Sequence, residues 1–205
     1  SQWPAAKRKA MKPAPWMTFP TPPTVTTRLE TIATADGELK LKLYSKAEGP
    51  PPTILFMHGG GWMLGGVDSL DYLCANLCDR LNAAVASVDY RLAPEHPFPA
   101  GLEDCYAALL WVAERAQGPI VVIGDSAGGN LAAALCLLAR SRGGPAISHQ
   151  TLVYPALDAT LESPSMALDC PGMSRDDAYK IVRYYIGNGD PRNELVSPVH
   201  ATDHR

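Results

Sequence analysis

Short apolar runs alternate along this chain with longer segments whose apolar residues have helical spacing. The runs cover residues 53–57, 83–88, 120–123 and 151–154, and the helical segments cover 68–81, 100–116, 126–141 and 176–186. Short continuously apolar runs are typical of strands that are buried on both faces. Because such strands alternate with helices, the sequence predicts an α/β fold with a mostly parallel sheet covered by helices.

The segment before these runs has a different pattern. Residues 24–34 are rich in β-branched side chains, Asp36-Gly37 is typical of a hairpin turn, and Leu39, Leu41 and Leu43 alternate with polar residues. An antiparallel strand pair with one solvent-facing side is therefore predicted at this edge of the sheet.

Size and composition exclude several classes of protein. A chain of 205 residues is long enough for one domain, and its net charge of −3 without a long basic run argues against nucleic-acid binding. The longest apolar stretch, 131–139, is too short for stable membrane insertion. The five cysteines show neither zinc spacing nor a disulfide framework, and no secretory signal is evident, so a cytoplasmic location is expected.

A glycine-rich segment follows the third apolar run and opens an alanine-rich helix. Its sequence is Gly124-Asp125-Ser126-Ala127-Gly128-Gly129-Asn130. In a G-x-S-x-G turn between strand and helix, the serine hydroxyl is exposed and close neighbours must lack side chains. This predicts Ser126 as a catalytic nucleophile and the Ala127 amide as an oxyanion donor. The alternative is a helix start that only caps the helix or binds phosphate. A Walker loop is excluded, because no Lys-Ser or Lys-Thr pair follows.

A second glycine-rich segment directly follows the first apolar run. Its sequence is His58-Gly59-Gly60-Gly61-Trp62. Backbone amides can converge on a substrate oxygen where side chains are absent, so Gly60 and Gly61 are predicted oxyanion donors. His58 is expected to hold the loop by hydrogen bonds rather than to act as a base. A flexible linker is the alternative, although a linker does not usually follow a buried strand and precede tryptophan.

Three segments together resemble the hormone-sensitive-lipase family in order and approximate spacing. They are His58 to Gly61, the sequence Asp89-Tyr90-Arg91-Leu92-Ala93-Pro94-Glu95, and Gly124 to Gly129. The resemblance implies an α/β-hydrolase fold with a partial helical cap, and hydrolysis of small-molecule carboxylic esters through a Ser126 acyl-enzyme. It implies no metal and no cofactor. It also implies that segment 89–95 supports the site, where Arg91 and Glu95 are expected to pair.

On the same resemblance, the whole chain, 1–205, is one α/β-hydrolase core. Residues 1–23 are expected to form an N-terminal cap segment, 24–162 the core, 163–189 a cap insertion, and 190–205 the start of the return to the core. Five residues are candidate lining of an acyl pocket, with ordinary core positions as the alternative: Trp62, Met63, Tyr90, Met166 and Tyr184.

A serine nucleophile needs a base, usually a histidine that is oriented by a carboxylate. The resembled family supplies both from later strand ends, beyond the end of this sequence, so the chain is expected to be truncated and poorly active. Asp158 with His200 or His204 is a possible substitute, because it satisfies the order serine, acid, histidine. His149 precedes a strand, and His96 lies in the supporting segment.

The alternative function is a non-catalytic protein of this fold that binds a small ligand, as gibberellin-receptor-like proteins do. Retention of Ser126 and of three consecutive glycines argues against it. A sheet that lacks its last strands would expose a hydrophobic edge, which makes a homo-oligomer possible.

Overall fold

A six-stranded sheet lies at the centre of the computed structural model, which describes residues 20–46, 52–168 and 173–203. The strands are β1 (Thr26–Thr34), β2 (Gly37–Ser45), β3 (Thr53–Met57), β4 (Ala84–Val88), β5 (Ile120–Asp125) and β6 (His149–Val153). Their order in the sheet is β1-β2-β4-β3-β5-β6. The predicted cap segment 1–23 lies almost wholly outside the described residues.

Both predicted strand directions are confirmed. β1 pairs antiparallel with β2 across a tight turn that joins Thr34 to Gly37, and β2 pairs antiparallel with β4. From β4 through β3 and β5 to β6, all neighbouring strands are parallel. The carboxyl ends of these four strands therefore lie along one edge of the sheet, where ligands bind in open α/β sheets.

Helices cover both faces of the sheet. They are α1 (Asp71–Leu81), α2 (Ala100–Ala113), α3 (Ala127–Ser141) and α4 (Arg175–Ile186). Ile54 and Phe56 of β3 pack with Cys74 and Cys78 of α1, whereas the alternate β3 residues belong to the core formed with α2 and α3. The predicted burial of β3 on both faces is thus confirmed.

Two helix boundaries differ from the sequence prediction by three residues, and two others differ by one. Residues 68–70 form turns before α1, and α2 ends at Ala113 rather than at 116. The last turn of α2 tightens, because the amides of Arg115 and Ala116 both donate to the Val112 carbonyl. Gly118-Pro119 follows this turn. A proline so close cannot continue a helix, which accounts for the earlier end.

Strand β6 differs from the other parallel strands in its exposure. His149, Gln150, Thr151 and Val153 are all exposed, and within the described part of the chain β6 pairs only with β5. The sequence predicted a strand at 151–154, and the structure places it at His149–Val153. An open groove of about 860 Å³ lies beside it, between β6, the second half of α3 and residues 143–148.

The support segment after β4 is held by an ion pair that the sequence analysis did not identify. The Arg91 guanidinium binds the almost fully buried Asp104 carboxylate at 2.9 Å and the Asp36 carboxylate at 3.0 Å. The Arg91 amide also donates to Asp104, at 2.8 Å. Glu95 is thus not the partner that the structure shows. Asp104 lies in α2, and its buried carboxylate accepts from Arg91 with both oxygens, which is the stronger kind of contact.

Candidate active site

Ser126 occupies the sharp turn between β5 and α3. Its backbone has φ +52° and ψ −116°, a left-handed φ that a non-glycine residue rarely adopts. Three hydrogen bonds hold this conformation: the Ser126 amide donates to the Val153 carbonyl at 2.9 Å, and the Ser126 carbonyl accepts from the amides of Asn130 and Ala156. A strained residue that is fixed in this way is typical of functional sites.

Close packing explains the glycines around the serine. A Cβ atom on Gly124 would collide with the Gly128 carbonyl, and one on Gly128 would collide with the carbonyls of Met57 and His58. The colliding atoms belong to the backbone and cannot move aside. The turn therefore requires glycine at both positions, as the sequence pattern predicted.

The second glycine-rich segment lies at the same edge of the sheet. Met57, the last residue of β3, pairs in register with Gly124 of β5, so the loop from His58 to Gly61 leaves the sheet beside the serine turn. The Gly59 amide donates to Asp125 Oδ1 at 2.8 Å, which ties this loop to the residue before Ser126. The structure thus brings together the two segments that hold Ser126, Gly60, Gly61 and Ala127.

The backbone of this loop has φ values outside the helix and strand ranges. Gly60 has φ +121° and Gly61 has φ +61°. The Gly60 carbonyl accepts bonds from the amides of Met63 and Leu64, whereas neither the Gly60 nor the Gly61 amide donates to a backbone acceptor among the described residues. The Ala127 amide is in the first turn of α3, where the helix itself offers no acceptor.

His58 is buried beneath the loop, with 1% of its surface exposed. Its Nδ1 lies 2.8 Å from the Gly59 carbonyl oxygen, and its ring stacks on Tyr90 at 4.4 Å between centroids. The Tyr90 hydroxyl in turn donates to the His58 carbonyl at 2.7 Å. Burial lowers the pKa of His58 to about 4, so the ring is neutral near pH 7. These contacts support the predicted loop-holding role rather than a role as base.

This buried histidine predicts a pH dependence of stability. Folding lowers the pKa of His58 from 6.5 to about 4, so the unfolded chain binds more protons between these values. The contribution of neutral His58 to the free energy of unfolding is fully present above pH 6.5. It is lost as the pH falls towards 4, by about 3 kcal/mol in total. Urea unfolding at a series of pH values measures this slope, and His58→Gln is expected to flatten it. Exposed His149→Gln is the control, and an equal slope in wild type and His58→Gln would contradict the prediction.

Asp125 carries a half-buried carboxyl group next to the nucleophile. Burial raises its pKa, and the hydrogen bond from the Gly59 amide opposes that rise. Because its Oδ1 accepts from this amide, Asp125 serves as a tether between the two glycine-rich segments. It precedes Ser126 directly, and the order serine, acid, histidine gives it no place as the triad acid.

Helix α4, from the predicted cap insertion, packs on the glycine loop. A Cβ on Gly61 would lie 3.1 Å from Ile181 Cγ2, and the Trp62 ring stacks on Tyr185 at 4.2 Å with an interplanar angle of 5°. Trp62, Met63 and Tyr90 are all buried, so they are core residues. Two contacts of Trp62 were not predicted from the sequence. Its ring stacks on Tyr185, and its indole nitrogen donates a hydrogen bond to Asn130.

The candidate acid and base lie close together. His200 Nε2 is 3.6 Å from Asp158 Oδ1, and the Val199 amide donates to the Leu157 carbonyl. Burial opposes ionisation of Asp158, but the Thr160 hydrogen bonds and His200 together hold its pKa below the ordinary value. In the described part of the chain, no hydrogen bond joins an imidazole to the Ser126 hydroxyl. His204 lies outside the described residues.

The remaining two histidines are far from any such role. His149 begins β6 at the amino end of the parallel strands, and His96 is exposed directly after the support segment. Within 20–46, 52–168 and 173–203, no three acidic, histidine or cysteine side chains form a possible metal site. Over those same residues, no helix combines the length and the apolar character that crossing a membrane requires.

Comparison with known proteins gives the family. A family model described as alpha/beta hydrolase fold matches residues 54–205. The carboxylic ester hydrolase LipN of Mycobacterium tuberculosis is 41% identical over 181 residues, covering 80% of this chain and 48% of LipN. An arylesterase of Saccharolobus solfataricus is 34% identical over 195 residues, covering 90% of this chain and 63% of that enzyme.

A solved structure agrees with the relatives. A bacterial heroin esterase superimposes with a TM-score of 0.83 at 37% sequence identity, covering 88% of this chain and 63% of that one. The chain spans about half the length of LipN and under two thirds of the other two proteins. The parallel sheet, the serine turn and the matched region agree, and the chain belongs to the α/β-hydrolase family.

Proposed function

We propose that this protein hydrolyses carboxylic esters through an acyl-enzyme on Ser126. The observation that carries the proposal is the hydrogen bond from the Gly59 amide to Asp125 Oδ1, which fixes the glycine loop beside the serine turn. The names of its relatives, a carboxylic ester hydrolase and an arylesterase, support the reaction type.

In this mechanism the Ser126 hydroxyl attacks the ester carbonyl carbon, and a base takes the hydroxyl proton. The carbonyl oxygen becomes negative in the tetrahedral intermediate, where the amides of Gly60, Gly61 and Ala127 would stabilise it. Collapse breaks the ester C–O bond and expels the alkoxide, which takes up the proton from the base and leaves as the alcohol. Water, deprotonated by the same base, then attacks the acyl-enzyme and releases the acid and the Ser126 hydroxyl. His200 with Asp158 is the candidate base and acid that the described residues offer.

The direct test is to trap the acyl-enzyme. The protein is mixed with p-nitrophenyl acetate, quenched in acid and digested, and its peptides are weighed by mass spectrometry. One acetyl group on the Ser126 side chain is the expected result. Acetylation confined to lysines would overturn the proposal. So would a serine label that appears unchanged in Ser126→Ala, because it would then be on a different serine. Slower labelling in His200→Ala than in His149→Ala would identify His200 as the base, and equal rates would exclude it.

A second candidate function is ligand binding without catalysis. It is favoured by one observation, that no imidazole in the described part of the chain bonds to the Ser126 hydroxyl. Such a protein would bind a non-hydrolysable ester analogue, for example a phosphonate ester, without ever forming the acetylated serine. Binding without labelling would therefore replace the first proposal with the second.

Three finer proposals accompany the main one. The substrates are small-molecule esters, as the names of the relatives suggest. The protein works in the cytoplasm, which the free state of the described cysteines, Cys74, Cys78, Cys105 and Cys136, supports. The exposed β6 edge offers a surface for homo-oligomer formation, which sedimentation tests.

The division into core and cap also stays a proposal. It places the core at 24–162 and cap segments at 1–23 and 163–189, with the return beginning at 190. Contacts of Ile181 and Tyr185 with the glycine loop support the cap position of α4.

A further inference from the structure

Asn130 makes three side-chain hydrogen bonds to three different segments, and its surface is fully buried. Its Oδ1 accepts from Trp62 Nε1 at 3.2 Å. Its Nδ2 donates to the carbonyls of Ala156 and Val196, both at 2.8 Å. The three partners belong to the glycine loop, the segment after β6 and the return segment. One side-chain amide thus joins three segments that are distant from one another in the sequence.

The chemistry of these bonds requires a neutral amide. An indole nitrogen only donates and a carbonyl oxygen only accepts, so the central group must accept once and donate twice. Aspartate would place an acceptor against two carbonyl oxygens, and leucine would leave all three partners without a bond. Buried polar groups without partners are strongly unfavourable, so the position is specified by its hydrogen bonds.

Trp62 connects Asn130 to the two glycines that carry the candidate donors. Gly60, Gly61 and Trp62 have φ values of +121°, +61° and +58°, and tryptophan rarely adopts such a backbone. The strained residue is held at three points: by Asn130 on its indole nitrogen, by Tyr185 against its ring, and by the Ala93 amide on its carbonyl. Fixing Trp62 fixes the peptide planes immediately before it.

Asn130 also contacts the nucleophile turn through its backbone. Its amide donates to the Ser126 carbonyl at 3.0 Å, in the first turn of α3. The same residue therefore bonds to the serine turn with its main chain and to the glycine loop with its side chain. Ser126 and the Gly60–Gly61 amides belong to those two segments, so their separation is set in part by this one residue.

We propose that Asn130 is a positioning residue that sets the orientation of the Gly60 and Gly61 amides relative to Ser126, acting through Trp62. The assignment of a catalytic role to these amides rests on the proposed function. The positioning itself is a property of the fold and is measurable without turnover.

The test compares a variant that breaks the bond between Asn130 and Trp62, a variant that breaks the other two side-chain bonds of Asn130, and a control that breaks none of them. Trp62→Phe removes the indole donor and keeps an aromatic ring against Tyr185, while Asn130→Asp removes the two donated bonds. Trp111→Phe is the matched control, because it makes the same substitution at a tryptophan of α2 whose ring contacts Arg115 at 4.2 Å, outside both glycine-rich segments. Each variant is labelled with ¹⁵N, and amide shifts and hydrogen exchange of Gly60 and Gly61 are measured alongside kcat and KM for p-nitrophenyl acetate.

In Trp62→Phe and Asn130→Asp, the Gly60 and Gly61 amide signals are expected to shift and to exchange faster. A misplacement of about 1 Å lowers kcat by up to about 10²-fold, with KM little changed. Trp111→Phe is expected to leave both measurements at wild-type values. If Asn130→Asp does not fold, Trp62→Phe alone decides. Unchanged Gly60 and Gly61 signals in a folded Trp62→Phe would overturn the positioning role. If the signals respond but Ser126→Ala retains full turnover, the positioning role stands and the proposed function fails.

Discussion

Replacing Ser126 with alanine is expected to abolish acyl-enzyme formation and to lower kcat by up to about 10⁶-fold, the loss seen where a serine acts as one unit with its base. The physical reason is that alanine has no hydroxyl to attack the ester, and Ser126 is the one residue between the end of β5 and the start of α3. What would remain is turnover from the oxyanion donors and substrate binding, about 10³–10⁴-fold over water in triad enzymes. The measurement is the initial burst and steady rate of p-nitrophenol release.

The fold of this variant should not change. The backbone of Ser126 is held by its bonds to Val153, Asn130 and Ala156, and none of these involves the hydroxyl. Ser141→Ala is the matched control, because Ser141 lies at the opposite end of the same helix and its hydroxyl donates only to the Leu138 carbonyl. If Ser126→Ala and Ser141→Ala release p-nitrophenol at the same rate, Ser126 is not the nucleophile.

The strands and the two glycine segments could be predicted because their determinants are local. β3 was predicted with its observed bounds, since a short, largely apolar run is typical of a strand that is covered on both faces. Gly124 and Gly128 follow from a turn whose backbone collisions are the same wherever it occurs. The start of β6 at His149, two residues before the predicted 151, was missed because His149 and Gln150 are polar and residue pattern alone does not report pairing with a neighbouring strand.

Contacts between distant segments could not be predicted. Arg91 was assigned to Glu95, four residues away, but it binds Asp104 and Asp36, the latter 55 positions earlier. Asn130 was recognised only as the end of a motif, although its side chain reaches Val196, 66 positions away. The proximity of His200 to Asp158 was expected only from chain order. Nothing in local periodicity or propensity specifies such pairs, because they arise when helices and loops pack.

Gly60 offers the second large effect, and here backbone strain and catalysis can be separated. Gly60→Ala is expected to lower kcat by about 10²–10³-fold, the usual cost of losing one oxyanion donor. A Cβ there would collide with the Leu64 carbonyl, so the peptide must rotate and carry its amide away from the substrate oxygen.

The alanine in this variant also has a positive φ, which lowers the free energy of unfolding by about 1–3 kcal/mol. Gly37→Ala is the matched control, because Gly37 has φ +125° against +121° for Gly60, but a Cβ there meets nothing within 4 Å. Both variants should lose stability in urea unfolding, Gly60→Ala more because of the collision with Leu64, and only Gly60→Ala should lose turnover, measured at a temperature where each is fully folded. Gly60 and Gly37 have nearly the same φ but lie in different parts of the fold. If Gly60→Ala and Gly37→Ala both keep wild-type activity, Gly60 is not an oxyanion donor. Equal losses of activity in both would trace the effect to backbone strain alone.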